Sequence, residues 1–162
     1  MTPDFKYKNI TIHPHWGEFV IENGIFLILI PIALLALGLK EFPFRWVCYG
    51  ILLIMALYLL YRYQYLVSMK YYVGDEQLMI QSGIVAQRCD YIEMYRIVDY
   101  NETRTVLQRL FGLKTVTVYS GDRTSPQLPI RGVPKNLDLV SIIRERVEYN
   151  KLRKGVHELT NL

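Results

Sequence analysis

The sequence predicts an α+β membrane protein: an N-terminal transmembrane hairpin of two helices, then a small antiparallel β domain, a barrel or a sandwich, capped by a C-terminal helix. Two long apolar runs lie between residues 19 and 67, whereas most charged residues follow Lys70. Short alternating segments separated by turn residues come next, and an amphipathic pattern follows them. The predicted divisions are an N-terminal segment (1–18), the hairpin (19–67), the β domain (71–149) and a flexible tail (150–162).

Charge and cysteine content narrow the class of protein. The net charge of +4 comes from 19 basic and 15 acidic residues that are scattered along the 162-residue chain. A protein that binds nucleic acid usually clusters its basic residues on one face, so no nucleic-acid partner is expected. Cys48 lies in an apolar run and Cys89 in a predicted strand, so no disulfide framework is expected, which fits a reducing compartment.

The two apolar runs are long enough to cross a bilayer. Residues 25–39 carry no charge and are extended by Phe19, Val20 and Ile21. The second run, at residues 46–61, is extended by Tyr63, Tyr65, Leu66 and Val67. A membrane-spanning helix needs about 20 predominantly apolar residues. A signal peptide does not fit, because two dozen residues precede the first run and a second run follows. A buried soluble hairpin is disfavoured, because neither run has a polar face.

The flanking charges predict the orientation of the hairpin. Residues 40–45 form a short turn, so both termini lie on one side of the membrane. Lys6, Lys8, Arg62 and Lys70 flank that side, against Lys40 and Arg45 in the turn. The positive-inside tendency therefore places both termini and the β domain in the cytoplasm.

Three tyrosines of the second run form a candidate interface. Tyr58, Tyr61 and Tyr65 share one face of a helix and lie where the span meets the domain. Tyrosines at this depth serve as interfacial anchors, so two interpretations remain open, anchoring in lipid and contact with a partner.

Short alternating segments predict the strands of the β domain. They cover residues 71–73, 77–82, 85–92, 97–105, 114–120 and a short run around Leu128 and Ile130. A single helical turn at 106–110 should pack Leu110 onto the sheet. Asn136 is a good N-cap for a final helix of about three turns, whose apolar face holds Leu137, Val140, Ile143 and Val147.

The chain resembles the bacterial pleckstrin-homology-like (PH-like) membrane family, also called YdbS-like. The resemblance rests on "YYVGDEQLMIQSGIV", "IEMYRIVDYNETRTVLQRLFGLKTVTVYS" and "LPIRGVPKNLDLVSIIRERV" behind a membrane hairpin. Gly83 matches the family's turn glycine, and residues 108–113 match its Gln-Arg-Leu-hydrophobic-Gly-Leu motif. The resemblance covers residues 19–149. It implies two roughly orthogonal antiparallel sheets closed by a C-terminal helix, in the bacterial cytoplasmic (inner) membrane, and a non-enzymatic role.

No catalytic or metal-binding pattern stands out. His13 and His15 lack a third ligand, and His157 lacks the second histidine of a metalloprotease helix. No phosphate-binding glycine motif occurs, and we expect no cofactor and no enzymatic activity. Arg104, Arg109 and Lys114 surround the predicted helical turn and are candidate contacts for anionic lipid or a partner, although a structural contact is the favoured role for Arg109.

Three functional classes follow. The leading expectation is a membrane-anchored adaptor or scaffold, whose domain binds a membrane or cytoplasmic protein through a sheet edge or the groove beside its last helix, or which self-associates as a homo-oligomer. The second is an accessory subunit of a membrane transport or secretion assembly. The third is a lipid-handling protein that binds anionic lipid, or an enzyme.

Overall fold

The computed structural model describes residues 7–38, 44–122 and 125–155. Along these residues, helices and strands follow in the order β1 (Ile10–Ile12), α1 (Trp16–Leu37), α2 (Arg45–Ser68), β2 (Lys70–Val73), β3 (Gln77–Ser82), β4 (Arg88–Glu93), β5 (Ile97–Thr103), α3 (Val106–Leu110), β6 (Leu113–Ser120), β7 (Gln127–Pro134) and α4 (Leu139–Lys154). A 3-10 turn, Met94–Arg96, joins β4 to β5.

The two long helices form an apolar hairpin. Both are long and apolar enough to cross a membrane, and most of their side chains are exposed. The rings of Phe26 and Tyr58 are 5.1 Å apart across the hairpin, and those of Phe19 and Tyr63 are 5.7 Å apart. Of the predicted turn at residues 40–45, residues 40–43 lie outside the described chain, and Arg45 already belongs to α2.

The first helix begins earlier than the start of the apolar run. Trp16 is its first residue, and the Nδ1 atom of His15 caps it by accepting a hydrogen bond from the backbone N–H of Gly17. Such a cap satisfies one of the backbone donors that a helix leaves unpaired at its N-terminus. The helix therefore includes polar residues that lie ahead of the apolar segment.

The β domain consists of two antiparallel sheets. The first has four strands in the order β1-β2-β3-β4, and the second has three in the order β5-β6-β7. Strand β1, which the sequence did not predict, pairs with β2 in the register Ile10↔Val73. The chain before the hairpin and the chain after it therefore belong to one sheet.

The core lies between the two sheets and under α4. Alternating residues of facing strands fill it, as the pattern predicted for Leu78, Ile80, Val116 and Val118. Ile143 and Val147 of α4 cover one end of the core. The described strands form a sandwich of two separate sheets rather than a closed barrel.

Three local predictions were wrong. Leu110 is 78% exposed instead of packed onto the sheet. The N-cap of α4 is Asp138, whose carboxylate accepts a hydrogen bond from the backbone N–H of Ser141, and not Asn136. Helix α4 continues past residue 149 to Lys154 and ends at Gly155, whose φ of 65° is readily adopted by glycine. Residues 156–162 of the predicted tail, including His157, lie outside the described chain.

Candidate functional site

The domain meets the hairpin at a polar junction around the first turns of α1. The Nε2 atom of Gln108 donates to both carboxylate oxygens of the buried Glu18, at 3.2 Å each, and to the hydroxyl of Thr115 at 2.8 Å. The backbone N–H of His15 donates to the carbonyl of Gly132 at 3.0 Å. These contacts attach α3 and β7 to the start of α1.

An ion cluster continues this junction toward the second helix. Glu22 of α1 accepts hydrogen bonds from Arg62 of α2 and from Arg131 of β7, the latter at 2.8 Å. The phenol of Tyr71 accepts a hydrogen bond from the backbone N–H of Arg131, and burial raises the pKa of Tyr71 to about 12. Tyr71 is therefore neutral at physiological pH.

The junction encloses a cavity of about 280 Å³. Its polar lining comprises Glu18, Glu22, Asn23, Arg62 and Arg131, and its apolar lining includes Phe19, Tyr65, Leu66 and Met69. Sequence reasoning missed this cluster, because its members come from three distant segments. The cavity brings two carboxylates and two guanidinium groups together at the base of the hairpin.

The three basic candidates do not lie together on the surface. Lys114 is 3% exposed and its ammonium donates to Glu102 at 2.7 Å, so it is unavailable to lipid or a partner, in contrast to the expectation. Hydrogen bonding from Lys114 holds the pKa of Glu102 below its usual range. Arg104 pairs with the same carboxylate. Arg109 is exposed and, within the described residues, has no ion pair.

A second surface pocket lies beside this group. It has a volume of about 380 Å³ and is lined by Arg104, Arg109, Gly112, Leu113 and Lys135. Lys135 thus takes the place beside Arg104 and Arg109 that the sequence had suggested for Lys114.

The three candidate tyrosines have different surroundings. Tyr58 packs against Phe26 of α1, Tyr61 is exposed and stacks with Tyr65 at 6.4 Å, and Tyr65 lines the junction cavity. Tyr61 is therefore the member of the set that offers most surface to lipid or to another protein.

A groove separates β5 from α4. It has a volume of about 340 Å³, and Ile97, Val98, Asp99 and Tyr100 form one wall, while Arg144, Val147, Glu148 and Lys151 form the other. Val98 is 67% exposed in it. In the described chain β5 pairs with β6 alone, so it is an edge strand of its sheet.

The described residues contain no group of three or more histidine, cysteine or acidic side chains that could hold a metal ion. The arrangement supplies hydrogen-bond donors, acceptors and apolar walls. These are means of binding.

Comparison with known proteins identifies the family. A family model described as "Bacterial PH domain" matches residues 20–147. Searches of curated proteins and of solved structures gave no match. The matched stretch begins inside α1 and ends inside α4, so it includes the hairpin as well as both sheets. The chain belongs to the bacterial PH domain family.

Proposed function

We propose that this protein is a non-enzymatic, membrane-anchored adaptor. Helices α1 and α2 cross the bacterial cytoplasmic membrane and hold the PH-like domain at its inner face, with both termini in the cytoplasm. The domain binds an extended segment of a protein partner in the groove between β5 and α4. The observation that carries the proposal is this edge strand beside an open groove.

An edge strand is suited to such binding because its outer N–H and C=O groups can pair with a further strand. Strand β5 has seven residues and contains neither lysine nor proline, two residue types that commonly protect sheet edges. A partner segment would add main-chain hydrogen bonds along β5 and place alternate side chains toward α4.

The groove favours a segment with both apolar and charged residues. Val98 offers exposed apolar surface, whereas Asp99 and Glu148 are acidic and Arg144 and Lys151 are basic. Mixed charge sets register and specificity more than affinity. An extended segment that alternates apolar side chains with side chains of both signs complements these walls.

Site-specific photo-crosslinking in native membranes tests the proposal. A photoreactive amino acid at Val98 should give a discrete protein adduct, and Arg144→Glu should weaken it. The matched control is the same amino acid at Tyr91, which is 55% exposed on β4, outside the groove. The same adducts from both positions, or none from Val98, would contradict binding in the groove. An adduct of twice the chain mass would identify the partner as a second copy.

A further inference from the structure

The short helix α3 exposes an apolar surface. Val106 is 74% exposed, Leu107 49% and Leu110 78%. Positions i, i+1 and i+4 span about 100° around a helix, so these three residues share one side of α3. Gln108 lies on the other side, buried against Glu18 and Thr115. Three large aliphatic side chains on a five-residue helix therefore face away from the domain that the helix packs on.

This surface lies level with the start of α1. Gln108 contacts Glu18 in the first turn of α1, and the ring of Phe111 meets that of Trp16 at 5.9 Å, edge to face. The uncharged apolar part of α1 begins after Asn23, about two turns beyond its first residue, because Glu18, Glu22 and Asn23 belong to the polar junction. The first turns of a spanning α1, and α3 beside them, would thus face the polar headgroup layer next to the hydrocarbon.

The strand directions place a second exposed apolar residue at the same end of the domain. Strand β2 begins directly after α2, and β3 runs back antiparallel to it with Lys70 opposite Gln81. The β3–β4 turn, which contains the 97% exposed Val85, therefore lies at the hairpin end. The opposite end carries the charged pair Glu76–Arg153. The exposed apolar residues of α3 and of the β3–β4 turn thus lie at the hairpin end of the domain.

Basic side chains accompany the apolar surface of α3. Arg109 belongs to α3 itself, and Lys135 joins it in lining the 380 Å³ surface pocket. Neither has a carboxylate partner within residues 7–38, 44–122 and 125–155. Cations beside exposed aliphatic and tryptophan side chains are characteristic of helices that lie in the interface of a membrane containing anionic lipid.

We infer that α3 docks onto the same bilayer that α1 and α2 cross. Val106, Leu107 and Leu110 enter its interfacial layer beside Trp16, and Arg109 and Lys135 contact the phosphates of anionic lipids. The occupant is lipid because the surface is continuous with the start of a membrane-spanning helix and carries complementary charge. This docking fixes the orientation of the domain relative to the membrane.

A depth measurement on the full-length chain tests the docking. Cys48 and Cys89 are replaced by serine, and Leu110→Cys is labelled with an environment-sensitive fluorophore. The protein is reconstituted into phosphatidylcholine vesicles with or without phosphatidylglycerol, and quenching by spin-labelled lipid is measured. The control position is Leu152, an equally exposed leucine next to Arg153 at the far end of the domain.

We expect blue-shifted emission and strong lipid quenching at position 110 but not at position 152. Phosphatidylglycerol should increase the quenching, and Arg109→Gln with Lys135→Gln should abolish that increase. Equal, water-like emission at both positions would overturn the inference and would leave a protein as the occupant of α3. Lipid quenching at position 110 that is the same with and without phosphatidylglycerol would overturn the role of the two basic residues. Flotation of the vesicles verifies insertion of the hairpin separately, and the groove is tested separately by crosslinking.

Discussion

Gln108 and Glu18 are 90 residues apart in sequence, yet the amide of Gln108 donates to both oxygens of the Glu18 carboxylate. Gln108 also forms a capping box with Thr105, so the same side chain begins α3 and attaches it to α1. Domain and hairpin are thereby joined through a buried, charge-assisted contact. Loss of such a contact costs little stability at an exposed site, where water can replace the lost partner. At a buried site the cost is larger, because no water takes the place of the donor to the carboxylate.

Gln108→Ala should lower the free energy of unfolding by about 1–3 kcal/mol, because it leaves the buried Glu18 without its donor. A double-mutant cycle with Glu18→Ala isolates the pair, and thermal unfolding of the full chain in detergent measures it. The exposed Gln87→Ala is the control. Additive effects of the two substitutions would show that the contact does not couple the domain to the hairpin.

Two glycines share a left-handed backbone conformation but differ in how closely other atoms approach them, so they distinguish the cost of backbone strain from the cost of steric contact. Gly132 and Gly112 have φ values of 67° and 65°. A Cβ atom at Gly132 would lie 3.0 Å from the backbone nitrogen of His15, whereas one at Gly112 would meet nothing within 4 Å.

Gly112→Ala should therefore cost about 1–2 kcal/mol, the price of the left-handed conformation alone. Gly132→Ala should cost more, because the backbone of the segment before α1 must also move. Thermal melts of both variants under one condition measure the difference. Equal losses would mean that the approach of β7 to His15 is not tight.

Arg146 holds together the start of the chain and the end of β2. Its buried guanidinium donates to the carbonyls of Val73, Gly74 and Lys8, and it provides the nearby positive charge for the buried carboxylate of Asp75. Arg146→Met should destabilise the domain by roughly 3–5 kcal/mol, because the buried carboxylate of Asp75 would lose its nearby positive charge and the three carbonyls would lose their donor. Arg144→Met, an exposed arginine two residues earlier on α4, should be close to neutral in the same chemical-unfolding assay. Comparable losses would refute the structural role of Arg146.

The pair of Glu102 and Lys114 predicts a dependence of stability on pH. The folded pKa of Glu102 lies below its unfolded value, so the pair contributes stability above the unfolded pKa of about 4.3. That contribution is lost as the pH falls through the folded pKa.

Glu102→Gln should therefore destabilise the chain by about 1 kcal/mol at neutral pH, and the difference from wild type should shrink at acidic pH. Urea unfolding at several pH values measures it. Asp99→Asn is the control, since Asp99 is an exposed carboxylate on the same strand. A difference that stays constant with pH would exclude ionisation of Glu102 as its source.

Sequence patterns identified the strands whose alternation is regular, and they failed where packing overrode the pattern. Lys114 stands at an irregularity between β6 and β7, where the register shifts between Lys114 and Val116, so that Leu113 and Lys114 are both buried. Such a bulge turns a side chain to the other face. Leu110 is apolar as expected for a buried residue, but the apolar pattern of a short helix does not determine which of its sides packs on the domain.

The ion cluster at the polar junction could not be predicted from the sequence for a different reason. Glu22, Arg62 and Arg131 belong to separate segments, and only the fold brings them together. Strand β1 has three residues, and its partner follows the entire hairpin, so neither length nor a nearby turn indicated it. The resemblance did include Gln108 in its motif, but the contact with Glu18 emerges only from the structure.

The native Cys89 offers a direct test of topology. Pairing of Ile10 with Val73 places the chain before and after the hairpin in one sheet, so both lie on the same side of any membrane that the hairpin crosses. Lys8, Arg62 and Lys70 flank that side, and the positive-inside tendency predicts that it is the cytoplasmic one. Cys89 is exposed on β4.

A membrane-impermeant maleimide should therefore leave Cys89 unmodified in intact cells whose outer membrane has been permeabilised. The same reagent should modify Cys89 after the cells are lysed. In a chain with Cys48 and Cys89 replaced by serine, Glu41→Cys should show the reverse, because two spans that cross the membrane in opposite directions would bring this position to the other side. Labelling of Cys89 in intact cells would place the domain, and with it the groove and α3, outside the cytoplasm, and the partner would then have to be an extracytoplasmic protein.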